Sequence, residues 1–451
     1  MAVLCLVQFV DVLGVTSATT AIPAILSGLG AGTAAAGPLA TVYAMFFGGL
    51  LILGARLGDR YGHRRVLLVG VTLFGAVSVL GGTAPLWDGG ALAVVLASRA
   101  LQGAAAAFSV PSALRLLLLA TPDPERRRSA LGAWSATGAA AGASGFLVGG
   151  ILVQLFGWPA VFWVNLPLAV VLAIGIAWRV ASSREAESDT AVDVLGAALL
   201  IISVMALIAG AAWIERPSTR GQGLLLVLVG LAAAGLFAWR LAAARHPLIP
   251  HEALASRRIR AGTALSFVNT ATTSSAAVLA SLFLQQRLGL DPIATGLTLI
   301  VLSLCVIPTS MGSRFLLARV TPGIVAGAGL GTIAIGCAVL AITTGRWWGV
   351  LVGIALAGAG LGLSSVAANS IGTSVRPQLA GTASGVLNTG AQLGTALGVA
   401  FAVLVSGAWG VWAGWLAAAL LASVTALACL VGGLLDTRIS DPAQKGRNST
   451  P

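Results

Sequence analysis

Apolar runs of roughly twenty residues alternate with short polar stretches along almost the whole chain. A bilayer core about 30 Å thick takes about 20 apolar helical residues to cross. Runs of that length, without the residue-by-residue alternation of a barrel strand, predict membrane-spanning helices. Fourteen spans can be placed: Ala2–Leu26, Pro38–Leu57, Val66–Thr83, Ala91–Leu118, Ala130–Phe156, Ala160–Trp178, Val194–Trp213, Gly223–Leu241, Ala261–Leu284, Thr295–Leu317, Pro322–Thr344, Trp348–Ile371, Thr382–Val405 and Gly410–Leu435. The more polar stretches Ala181–Asp193 and Arg245–Arg260 flank spans seven and eight, dividing the pattern into six, two and six. The expected organisation is an N-terminal six-helix bundle over 1–180, cytoplasmic linkers with two extra spans over 181–260, a C-terminal six-helix bundle over 261–435, and a disordered cytoplasmic tail over 436–451.

Only 9% of the 451 residues are charged, against about 25% in soluble domains. Such a chain cannot cover a water-facing surface. Its net charge of +12 does not imply a nucleic-acid partner, because the charges sit in short loops, chiefly on one side. With the N-terminus inside, only Arg216, Arg220, Arg287 and Arg346 fall in outer loops, and Arg99 and Arg115 fall within spans. The other basic residues lie on the cytoplasmic side, the asymmetry that sets topology. Both termini are then cytoplasmic. No basic residue precedes Arg56, so the first run reads as a retained span and not as a signal peptide. Cys5, Cys305, Cys337 and Cys429 have no metal-ligand spacing. Gly358 to Gly362 lie inside an apolar run with no Lys-Ser/Thr following, which reads as helix packing and not as a phosphate loop. No metal, cofactor or catalytic constellation is expected. His63, His246 and His251 fall in loops and are expected to face water or lipid headgroups.

Two charges within spans carry candidate chemistry. Asp11 lies about ten residues into span one, roughly 15 Å along a helix and so near the midplane. An ionised carboxylate is expensive there, so the residue is suited to take a proton from one side and release it to the other. The alternative is a structural aspartate, permanently protonated or paired. Arg99, at similar depth in span four, costs about 2.5–3.5 kcal/mol even by the lower estimates and should not face lipid.

From the end of span two to the start of span three run Gly54, Leu57, Asp59-Arg60, Gly62 and Arg64-Arg65. This run resembles, position for position, the loop signature of the major facilitator superfamily; an ordinary basic cytoplasmic loop is the plainer alternative. Arg99-Ala100-Leu101-Gln102-Gly103 resembles the family's Arg-x-x-Gln-Gly signature in span four. The six-two-six plan, with the runs Trp158–Pro167 and Ala380–Gly398, resembles the 14-span drug:proton antiporters. The chain departs from them in three places. Gly14 stands where that family has Asp, with Asp11 one turn earlier. Phe146 replaces the Pro, and Ala141 the first Gly, of the antiporter signature in span five. Ala391 stands where Arg is common.

The resemblance implies an all-α membrane protein with the major facilitator fold, fourteen transmembrane helices in two six-helix bundles plus two central linker helices. It implies proton coupling by Asp11 and Arg99, with a structural arginine as the alternative for the latter. The run Gly54, Asp59, Arg60, Gly62, Arg64 and Arg65 would act as a gating loop, with Asp59 docking on the positive N-terminus of span thirteen. Spans one, four, five, nine, ten and thirteen would enclose the cavity, with Thr19, Thr20, Gln102, Asn269, Asn388 and Gln392 as liners. Gly103, Gly145, Gly149, Gly150, Gly385 and Gly394 would let helices pack closely and slide.

The functional expectation is a bacterial inner-membrane, multi-pass, monomeric secondary transporter, not an enzyme. It would export amphipathic drugs or natural products across the bilayer in exchange for protons. Alternatives are a dedicated exporter of one metabolite, such as an antibiotic or a siderophore, and a uniporter-like relative. A membrane sensor would need a sizeable soluble domain, and the longest loops run to about 20 residues.

Overall fold

The computed structural model describes residues 1–87, 89–121, 123–180, 193–214, 219–244, 247–249, 251–375 and 379–439, nearly all of them helical. The main helices are α1 (Ala2–Gly28), α2 (Ala36–Tyr61), α3 (His63–Gly82), α4 (Ala91–Leu119), α5 (Pro124–Phe156), α6 (Ala160–Arg179, in two pieces meeting at Val164), α7 (Val194–Ile214), α8 (Arg220–Ala243), α9 (Arg257–Gln286), α10 (Pro292–Leu317), α11 (Pro322–Ile342), α12 (Trp347–Thr373), α13 (Ala380–Trp409) and α14 (Val411–Ile439). Among the described residues, thirteen helices are long and apolar enough to cross a membrane; α7 contributes a shorter apolar stretch, Val194–Gly210.

Several boundaries move outward because polar residues cap the helices. Asp123 accepts from the backbone N–H of Arg126 at 3.0 Å and starts α5 before Ala130. Ser256 accepts from Ile259 N and starts α9 before Ala261. At the other end of the chain α14 stays helical to Ile439, past the expected boundary at 435. Residues 181–192, His246 and the tail from 440 onward lie outside the described residues.

α1 packs on α5, α2 and α3 on α4, and α3 on α6. In the second half α9 packs on α13, α11 on α12 and α14, and α10 on α12. The halves meet through α2 with α13, α5 with α10, and α1 with α9. α7 and α8 form a pair, and α7 lies against α2 and α13. Asp193 fixes this pair: one oxygen caps α7 at Gly196 N and takes Arg240 Nε of α8 at 2.7 Å, while the other accepts from Leu248 N. Large apolar side chains face outward, among them Leu228 and Trp239 on α8 and Val424 on α14, as lipid contact requires.

Lipid is as apolar as leucine, so helices associate by close packing. α2 and α4 show this most sharply. A Cβ at Gly54 would run into the carbonyl of Ala107, and one at Gly103 into the carbonyl of Tyr43. These glycines set the distance at which Tyr43 and Arg99 face one another.

Candidate functional site

The charged residue on α1 is Asp11, buried at 8% exposed. Its carboxylate accepts the hydroxyl of Tyr43 from α2. The guanidinium of Arg99, 5% exposed, lies 4.6 Å over the ring of the same tyrosine. Among the described residues no ion pair joins Asp11 to Arg99; Tyr43 links them. Arg99 Nη1 donates to Gly14 O at 3.5 Å and to Gln102 Oε1 at 3.3 Å, and its Nε has no partner. Gln102 Nε2 donates to Ser78 Oγ at 2.7 Å. Four helices thus share one buried polar network. At Gly14 the chain supplies only a carbonyl, and a Cβ there would touch Phe74 at 3.5 Å.

Asp11 does not face the space between the halves. On α1, Gln8, Val15, Thr16 and Thr19 share one stripe and line two central cavities. One, about 270 Å³, is bounded by α1, α5, α9, α10 and α13, with Ala40 and Leu361, and holds Thr19, Thr273, Ser274, Ser303 and Thr395. The other, about 290 Å³, lies nearer the Gly62 end and holds Gln8, Asn269, Thr270, Asn369 and Asn388. Asp11 points instead among α3, α4 and α6, where it borders a cavity of about 20 Å³.

Two expected liners, Thr20 and Gln102, are placed otherwise. Thr20 is fully buried and donates to Phe146 O, tying α1 to α5. Gln102 is buried in the Arg99 network. Gln392 packs its Cβ against Gly48 of α2. α12, not named among the lining spans, contributes Leu361 to one cavity and Asn369 to the other. Gly145 abuts Thr16, Gly149 lies against the backbone of Ser17, Gly150 against Pro292 O, and Gly394 against Phe267 O. Gly385 differs: a Cβ there would meet no described atom within 4 Å, so it is not a packing glycine in this conformation.

The charged run between α2 and α3 is not an extended loop. Helix continues from Gly54 through Asp59 to Tyr61, and α3 starts at His63. Gly62 alone makes the turn, at φ +87°. His63 is not solvated: it is 3% exposed, its ring lies against Gly58, and its Nε2 stands 3.1 Å from Asp59 Oδ1. Asp59 is therefore engaged by His63, and among the described residues it makes no hydrogen bond to α13. Arg64 donates to Ala177 O at the end of α6, Arg60 stacks on Tyr61, and Arg65 is exposed.

Hydrogen bonds between the halves lie mostly at the opposite end. Ser281 Oγ donates to Thr19 O at 3.1 Å, Gln285 Nε2 to Thr20 O at 3.0 Å, and Ile293 N to Gln154 Oε1 at 3.3 Å. Nearer the middle, Thr389 Oγ1 donates to Gly48 O.

The sequence model described as "Major Facilitator Superfamily" matches residues 4–399 and, again, 262–451. The chain belongs to the major facilitator superfamily. This facilitator is 32% identical, over 78% of its length, to the tetracenomycin C resistance and export protein of Streptomyces glaucescens, of which it spans 65%. It is 30% identical to the cephamycin export protein CmcT of Amycolatopsis lactamdurans, covering 89% of this chain and 84% of that one. It is 32% identical to the drug efflux pump JefA of Mycobacterium tuberculosis, over 81% and 72%. Among solved structures, a POT family transporter superposes with a TM-score of 0.68 at 15% identity, covering 97% and 96%. The human organic anion transporter MFSD10 does so with 0.62 at 15%, covering 95% and 98%. The facilitator is a transporter and not an enzyme.

Tyr43 and the burial of His63 were not read from the sequence. The signal for Tyr43 was present: it is one of two tyrosines, it lies inside a span, and a buried phenol needs a partner.

Proposed function

We propose that this facilitator exports amphipathic drugs or natural products across the bacterial inner membrane by alternating access, in exchange for protons. The observation that carries the reading is the separation of two sites on adjacent faces of α1. One face lines two central cavities, one mostly apolar with scattered hydroxyls and the other rich in amides and hydroxyls. The other presents Asp11, among the described residues the only carboxylate well inside a candidate span, to Tyr43. A proton change at Asp11 would then reach the cavity through the movement of α1 itself. The relatives' names, three of them export or efflux proteins, support the same direction of transport.

In this reading both termini face the cytoplasm, the protein works as a monomer of two six-helix bundles with α7 and α8 between them, and the Gly62 end is cytoplasmic. Bonds that close the halves at the far end then describe a state closed to the outside. Asp59 would dock on α13 only after the bundles rock the other way. Relatives named for single antibiotics favour a second reading, a dedicated exporter of one metabolite. Efflux of a panel of dyes and antibiotics from cells, with and without a protonophore, tests both. Energy-dependent efflux of many compounds supports the first, and of one alone the second. Efflux that survives collapse of the proton gradient contradicts antiport.

A further inference from the structure

Asp11 has an outlet other than the central cavities. The small cavity beside it measures about 20 Å³, room for one water. Among its lining side chains only Asp11 and Ser109 are polar. One turn further along α4, Ser112 is fully buried and places its hydroxyl 3.5 Å from His63 Nδ1. The opposite ring nitrogen of His63 faces Asp59 at 3.1 Å. Asp59 is 42% exposed at its side chain. Polar groups therefore descend in order from the membrane interior to the Gly62 surface, inside a bundle otherwise walled by Ala, Val, Leu and Phe. His63 is placed to take a proton on one nitrogen and lose one from the other. The charges of Arg56 on α2 and Arg115 on α4 act on Asp59 at this exit.

We propose that Ser109, Ser112 and His63 form the path by which Asp11 returns its proton to the cytoplasm, with Asp59 at the exit. This rests on the antiport reading above. In the step, protonated Asp11 gives its proton to the water between it and Ser109. That water passes a proton to the Ser109 hydroxyl as Ser109 passes its own to Ser112 and Ser112 passes its own to His63 Nδ1. His63 releases its Nε2 proton to Asp59 and thence to bulk water, and the water and both hydroxyls end as they began. One proton leaves the protein, Asp11 is left ionised, and rotation of the His63 ring, which turns the newly protonated nitrogen towards Asp59, restores the starting arrangement. His63 is a positioning and relay group; it touches no exported substrate.

The test uses full-length protein in proteoliposomes and ethidium, a fluorescent amphipathic cation, as probe. Two modes are compared: efflux driven by an imposed proton gradient, and exchange of ethidium across the membrane without a gradient, which requires no net proton release. His63→Gln is expected to lower gradient-driven efflux at least tenfold, to leave exchange within twofold, and to regain part of the efflux when imidazole is added. Ser109→Ala is expected to lower driven efflux by a smaller factor, again with exchange retained. Unchanged driven efflux in both variants overturns the path. Parallel loss of both modes in His63→Gln, without imidazole rescue, makes His63 a structural residue of the hairpin and also overturns it. A wild-type protein that exchanges ethidium but ignores the gradient instead defeats the antiport reading on which the path depends.

Discussion

The hydroxyl of Tyr43 is held by the carboxylate of Asp11, while the face of the same ring carries Arg99. One side chain thus connects the acid of α1 with the base of α4. Tyr43→Phe separates the two contacts, because the ring and its cation stay and only the donor is lost. A buried acceptor left without its partner costs about 1–3 kcal/mol. Gradient-driven efflux is expected to fall about tenfold with substrate affinity unchanged, as measured by transport kinetics and equilibrium binding. Tyr43→Ala also forfeits the stacking, worth about 0.5–2 kcal/mol, and is expected to lower the melting temperature in detergent further than Tyr43→Phe.

The glycines of the α2–α4 seam make a prediction about packing alone. Gly54→Ala and Gly103→Ala each drive a methyl group into the neighbouring helix's backbone, an overpacking loss of about 1–3 kcal/mol. Gly385→Ala meets open space and is expected to change stability by less than about 0.5 kcal/mol. Thermal unfolding of the purified variants in detergent checks the ordering. A Gly385→Ala protein as damaged as the other two would contradict it.

Asp193 is a buried carboxylate with a different job. It holds Arg240 and two backbone N–H groups. Removing one member of a buried pair costs about 3–5 kcal/mol, less where the partner is part-exposed as Arg240 is. Asp193→Ala is expected to lower the melting temperature while leaving proton coupling intact in the protein that folds, read as the ratio of driven efflux to exchange.

At the end opposite Gly62, Ser281 and Gln285 each donate one bond from α9 to α1. At about 1 kcal/mol per bond, Ser281→Ala with Gln285→Ala should shift the balance of open and closed states by roughly tenfold or more. Labelling of a Thr19→Cys reporter by an impermeant thiol reagent from the outer side, in a background lacking the native cysteines, is expected to rise accordingly. No change in labelling would remove these bonds from the outer gate.

Much of this architecture was legible in the sequence because hydropathy alone marks a span. Facing was harder to read. A helix such as α12 or α14 is apolar all round, so no stripe says which side meets protein and which meets lipid. Thr20 and Gln102 were expected in the cavity for their polarity, yet each spends its hydrogen bonds holding neighbouring helices together. Charge made 54–65 look like a loop, but helix geometry needs only Gly62 to turn, and that brings His63 inward against Gly58. Asp11 and Arg99 were placed in the same network, but the intervening Tyr43 depends on the register of α2 against α4, which two backbone contacts at glycine set and no periodicity announces.

The central claim is that Asp11 couples export to protons. Gradient-driven ethidium efflux from proteoliposomes, wild type against Asp11→Asn, tests it most directly. Loss of driven efflux in Asp11→Asn, with ethidium binding and gradient-free exchange retained, is the predicted result. Equal driven efflux from both proteins would contradict it and take Asp11 out of the mechanism.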